Sequence, residues 1–177
     1  MALKVAPEIA RALTQMADGL HGLPARVIAP EDIHLTLVPP WNETAVPNAI
    51  EKLKSVAEKA EPFTLVFRHL GYGPQARRPR LLWADCEVDE LLVALNAALQ
   101  LAFGQSDSRP FRPHVTVARI RGNGAVVARK RPIDRELAFS QRVETIVLMQ
   151  SPPPGGVGYR VLASLRLGHD STTAVAV

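Results

Sequence analysis

The chain has 177 residues, 47% hydrophobic and 21% charged, with a net charge of +4. This is an ordinary soluble globular composition, enough for one domain or two small lobes sharing a core. No apolar run approaches the ~20 residues of a membrane helix. The N-terminus shows no charged-then-apolar leader, so a cytoplasmic location and no membrane partner are expected. The lone Cys86 cannot form an internal disulfide and lacks the companions of a zinc site; it reads as a buried thiol. The mild positive charge permits a polyanionic partner such as RNA without demanding one.

In chain order, residues 2–6 alternate like a first strand. Pro7 opens a helix with Ile9, Leu13, Met16 and Leu20 on one face. Residues 26–28 read as a brief strand and 30–32 as a turn. A strand over 33–38 follows, stopped by Pro39 and Pro40. The periodicity predicts a second helix over 47–60, a strand over 63–67, a loop over 71–80 and a strand over 81–87. A third helix spans 88–103. Another strand runs from 114 to about 119, and the basic stretch 121–135 reads as a mobile loop. Strands over 137–140, 143–150 and 159–167 complete the pattern, and residues 169–177 read as a disordered tail. Strand pairs outnumber β-α-β units, which argues for α+β with largely antiparallel sheets and outer helices.

Two stretches repeat one pattern: His34-Leu35-Thr36-Leu37 and His114-Val115-Thr116-Val117. Each is His, apolar, Thr, apolar on a predicted strand, and they lie 80 positions apart, one in each half of the chain. On a strand, residues two apart share a face. Each motif therefore sets an imidazole and a hydroxyl on one side and two apolar groups toward a core. A single copy means little, because Thr favours strands and a lone His is commonly a packed residue. Two copies in opposite halves can supply two histidines that hold one proton between them, with two hydroxyls that donate to phosphoryl oxygens. No metal or cofactor enters this scheme.

The paired motifs resemble those of the 2H phosphoesterases. The flanks resemble the RNA 2′,3′-cyclic phosphodiesterases, also called 2′-5′ RNA ligases. Glu31-Asp32-Ile33 precedes the first motif, Pro79-Arg80-Leu81-Leu82-Trp83-Ala84 matches a mid-chain strand, and Arg109-Pro110-Phe111-Arg112-Pro113 leads into the second motif, which Ala118-Arg119 trails. Ser151, Gly156 and Tyr159 follow the family's C-terminal pattern. The resemblance covers residues 1–168. Two departures are a short first strand and Val38-Pro39-Pro40-Trp41 where the family carries Phe-Leu-Gly.

The resemblance implies one bilobal, pseudo-twofold domain over 1–168, with two antiparallel sheets facing across a cleft. It implies hydrolysis of an RNA 2′,3′-cyclic phosphate to a 2′-phosphate, accompanied by reversible 2′-5′ ligation, in a monomer. His114 would be the base and His34 the acid, with Thr36 and Thr116 on the non-bridging oxygens; the symmetry of the motifs by itself leaves the two histidines interchangeable. Arg119 and Tyr159 are candidate substrate-binding residues, although strict alternation sets Arg119 on the opposite face from Thr116. Trp41 and Phe111 are candidates for stacking a base, and Arg77, Arg78 and Arg80 for tracking a backbone, each against a plain packing or solvated role.

Three alternatives stand beside this reading. One is a phosphodiesterase acting on a small cyclic nucleotide or an ADP-ribose cyclic phosphate. Another is an RNA-end binding module without turnover. The third is a metal site built from His34, His69 and His114.

Overall fold

The computed structural model describes residues 1–75, 77–105, 110–153 and 156–168. The tail expected from residue 169 and the flanking Arg109 lie outside the described residues. The described elements are β1 (Ala2–Lys4), α1 (Pro7–Met16), β2 (Ala25–Val27), β3 (His34–Thr36), α2 (Val46–Ala57), β4 (Phe63–Gly73), β5 (Leu81–Cys86), α3 (Glu90–Ala102), β6 (His114–Ile120), α4 (Gly124–Lys130), β7 (Asp134–Val143), β8 (Thr145–Gln150) and β9 (Arg160–Arg166).

The fold is α+β, and its strand pairings are antiparallel. The strand order is β7-β4-β5-β6-β3-β1-β8-β9, with β2 beside β6. Hydrogen bonding runs from one of the two expected antiparallel sheets into the other through the β6–β3 pair. The two motif strands, β3 and β6, join at one register pair, Leu35↔Val115. So short a seam lets the strands on either side turn away from each other, and a cleft opens along it.

The helices cover apolar faces. Pro7 starts α1, which buries Ile9, Ala10 and Leu13; α2 buries Ala49, Leu53 and Ala57. Asp89 caps α3 by accepting from the Leu91 and Leu92 N–H groups at 2.9 and 3.2 Å. On α3, Leu92, Leu95 and Leu99 enter the core beside Asn96, and each buried leucine contributes about 1.5–3 kcal/mol. Asn96 donates to the Leu37 carbonyl at 2.7 Å. That bond ties α3 to the chain leaving the first motif.

Two segments differ from the sequence reading. The stretch expected as a loop over 121–135 contains α4. Asn123 caps it by accepting from Val126 N–H, and Val127 is fully buried. A Cβ on Gly124 would lie 1.9 Å from the Pro79 carbonyl oxygen, so the glycine that suggests a loop instead lets the helix start close against a neighbour. Likewise β4 continues to Gly73 through residues expected as loop. Its glycines leave room for rings: a Cβ on Gly71 would meet His69, and one on Gly73 would meet Trp83.

Candidate active site

The seam pair decides which side chains meet. Leu35 and Val115 are fully buried. One step along the antiparallel register, His34 comes opposite Thr116 and Thr36 opposite His114, all on the other face. The four line one cleft of about 900 Å³. The motifs meet head to tail, so each histidine faces the other motif's threonine. The two imidazoles stand on a diagonal, their backbones roughly 7–8 Å apart, with room for a phosphoryl group between the rings.

Both imidazoles are oriented alike. His34 Nδ1 lies 2.6 Å from the Asp32 carbonyl oxygen, and His114 Nδ1 lies 2.8 Å from that of Arg112. A carbonyl oxygen only accepts, so each Nδ1–H donates and each Nε2 is left to work in the cleft. The same i−2 carbonyl thus sets the tautomer in both motifs.

Their surroundings differ. Burial pushes the His34 pKa down; the bond to the Asp32 carbonyl opposes this, while Lys4 and the chain's amino group add to it. Lys4 is its cross-strand neighbour on β1. The Tyr159 ring stands edge-on to His34, centroids 4.8 Å apart. The Asp32 carboxylate holds Tyr159 there by accepting from the Gly158 and Tyr159 N–H groups at 3.0 and 2.9 Å. Asp32 therefore fixes His34 through its carbonyl and the facing loop through its side chain.

His114 packs on Trp83 at 4.5 Å between centroids. The Arg112 guanidinium lies over the same indole at 4.7 Å and donates twice to Asp85, at 3.1 and 3.2 Å. Asp85 is the cross-strand neighbour of His114.

Arg119 lines the cleft, contrary to strict alternation. The register between β5 and β6 shifts after Thr116: Trp83 pairs with Thr116, and Leu82 pairs with Ala118. Val117 is an extra residue, and both Val117 and Ala118 are buried. This bulge resets the phase and returns Arg119 to the face of Thr116. Tyr159 and Trp41 also line the cleft. Phe111 instead packs against the core, and Arg77, Arg78 and Arg80 are exposed and not part of the cleft wall.

His69 stands opposite Asp85 on β4, two strands from His114, about 10 Å away. It contacts Asp134. Among the described residues no group of three His, Cys, Asp or Glu side chains is placed to hold a metal ion, so His34, His69 and His114 do not assemble into a ligand set. Cys86 is buried as expected, and burial pushes its thiol pKa up to about 12. Among the described residues no helix is long and apolar enough to cross a membrane.

Sequence reasoning missed Asp32, Trp83 and Arg26 as parts of this site. Asp32 reads as an ordinary turn residue. Trp83 meets His114 and Arg112, and Arg26 stands in register with Arg119, each across strands remote in sequence.

Comparison with known proteins agrees with this architecture. A Geobacillus stearothermophilus protein named RNA 2′,3′-cyclic phosphodiesterase is 32% identical over 131 residues, covering 67% of this chain and 40% of that protein. A Thermus thermophilus protein of the same name is 28% identical over 156 residues, covering 79% and 74%. The chain spans about half the length of several such relatives, for example 54% of the Aquifex aeolicus protein. A solved structure from Thermus thermophilus superposes with a TM-score of 0.78 at 23% identity, covering 96% of this chain and 97% of the other. Escherichia coli LigT complexed with 3′-AMP gives 0.74 at 22%, covering 94% and 95%. The model of the 2′-5′ RNA ligase superfamily matches residues 5–151, and the chain belongs to that superfamily.

Proposed function

We propose that this protein hydrolyses 2′,3′-cyclic phosphate ends of RNA to 2′-phosphates by two-histidine acid–base catalysis. The observation that carries the reading is the head-to-tail quartet, with both Nδ1 atoms committed to backbone carbonyls and both Nε2 atoms left to the cleft. Relatives named for this reaction support it.

His114 Nε2 takes a proton from water as the water oxygen bonds to phosphorus. The bond from phosphorus to the 3′ oxygen breaks, and His34 gives that oxygen a proton. Thr36 and Thr116 donate to the non-bridging oxygens, where charge builds. If the 5′-hydroxyl of a second strand replaces water, the same transfers form a 2′-5′ bond, and the reverse reaction exchanges the two histidines' roles. The assignment of acid and base follows the family resemblance. Burial favours the neutral form of His34, and an arriving anionic phosphate favours its charged form.

The test is turnover, in EDTA, of a short RNA ending in a 2′,3′-cyclic phosphate. Wild type is expected to yield only the 2′-phosphate, and His34→Ala and His114→Ala each to lose ~10²–10⁴-fold. A substrate with sulfur at the 3′ bridging position needs no acid and should rescue His34→Ala alone. Rescue of His114→Ala instead would reverse the roles. Turnover of a cyclic mononucleotide but no RNA would leave the chemistry and replace the substrate.

A further inference from the structure

The register of β2 and β6 sets Arg26 directly opposite Arg119. Such residues share a face with Cβ atoms about 5 Å apart, and like charges there destabilise a sheet. Among the described residues neither arginine makes an ion pair. Both line the cleft that holds the quartet, Arg119 because the bulge at Val117 turns it there. Two like charges so placed disfavour the pairing and suit an anion that bridges them.

We propose that Arg26 and Arg119 form a second phosphate site, which holds the phosphodiester next to the reacting cyclic phosphate and selects RNA ends over cyclic mononucleotides. The inference rests on the quartet as the cyclic-phosphate site. Guanidinium forks suit phosphate oxygens. Along β6, Arg119 lies three residues beyond Thr116, at most on the order of 10 Å, which is within reach of one nucleotide of an extended strand.

Charge along the cleft gives the strand a direction. β2 lies beside the Arg119 end of β6, whereas β3 lies beside its His114 end. Past Thr36, the wall carries Trp41, Asn42 and Glu43. The Glu43 carboxylate accepts from Ala45 N–H at 2.8 Å and from the Trp41 indole at 3.1 Å, and these bonds hold its pKa below the usual range. A fixed negative charge repels a phosphodiester. Toward the other end the cleft also carries the Asp32 carboxylate, which is engaged by the Gly158 and Tyr159 N–H groups; two guanidinium groups outweigh it, and the RNA backbone leaves the quartet toward Arg26 and Arg119.

The experiment measures kcat/KM of wild type, Arg26→Ala and Arg26→Lys on 2′,3′-cyclic AMP and on a tetranucleotide ending in a 2′,3′-cyclic phosphate. Wild type should favour the tetranucleotide. Arg26→Ala should lower the ratio of the two kcat/KM values ~10–100-fold, the size of a lost charged hydrogen bond, and Arg26→Lys should restore part of it. The salt dependence on the tetranucleotide should become shallower by about 0.7 in log–log slope. Equal losses on both substrates would mean a structural role and overturn the proposal, as would an unchanged ratio.

A binding arm separates this from the catalytic reading. The affinities of 3′-AMP and of a tetranucleotide ending in a 3′-phosphate are measured by calorimetry without turnover. Tenfold or greater loss for the tetranucleotide alone in Arg26→Ala supports the site even if wild type cleaves neither cyclic substrate, a result that would sink only the proposed reaction. An unchanged tetranucleotide affinity overturns the site.

Discussion

Asp32 and Tyr159 are joined by a hydrogen bond of 2.9 Å from the tyrosine N–H to the aspartate carboxylate, across 127 positions of sequence. The bond closes the loop after β8 onto the start of β3, and it sets the Tyr159 ring edge-on to His34. Because the Asp32 carbonyl also receives the His34 Nδ1–H, one residue couples ring orientation to loop position.

Removing the carboxylate separates those two tasks. Asp32→Ala keeps its carbonyl but frees the Gly158 and Tyr159 N–H groups. KM should rise about tenfold or more, because two N–H groups lose their charged acceptor, with a smaller change in kcat. Asp32→Asn keeps one acceptor oxygen and should fall between. Steady-state kinetics on the cyclic-phosphate RNA checks this. A fall in kcat with unchanged KM would instead show that the side chain serves His34.

The two threonines can be tested without disturbing the strands. Valine keeps the β-branched shape and removes only the hydroxyl. Thr36→Val and Thr116→Val should each reduce kcat ~10²–10³-fold, as for removal of one donor to a developing oxyanion, with Tm nearly unchanged. Wild-type kcat in either variant would remove that threonine from the mechanism.

Protonation of His34 should couple to stability. Its folded pKa lies below the unfolded value of about 6.5. Between those two values the unfolded chain binds more protons, so stability rises with pH through the window and falls as the pH drops through it. The buried Met1 amino group, pushed down from 8.0 to about 6, acts in the same direction between those values, in wild type and variant alike. From pH 7 to 5, wild type should therefore lose more Tm than His34→Gln does. Parallel melting curves for the two proteins across that range would contradict the burial argument.

Asn96 is 4% exposed. It donates to Leu37 O at 2.7 Å and accepts from Gln100 at 3.0 Å. Asn96→Leu should cost about 1–3 kcal/mol in urea unfolding, because the Leu37 carbonyl loses its donor inside the core. A neutral or stabilising result would mean that the carbonyl finds another partner.

The quartet was legible in the amino-acid sequence because its signal is local. A period of two puts His and Thr on one face of a strand, and the pattern occurs twice. Fold class and most elements followed from periodicity for the same reason. The helix at Gly124 and the far half of β4 did not, since glycine signals a loop locally, whereas here it answers a crowding neighbour, Pro79 or Trp83. Only the tertiary structure decided that β3 and β6 join at Leu35 and Val115, that a bulge turns Arg119 back toward Thr116, and that Arg26 stands beside it. These are pairings between strands remote in sequence, and their register depends on contacts that no single segment contains.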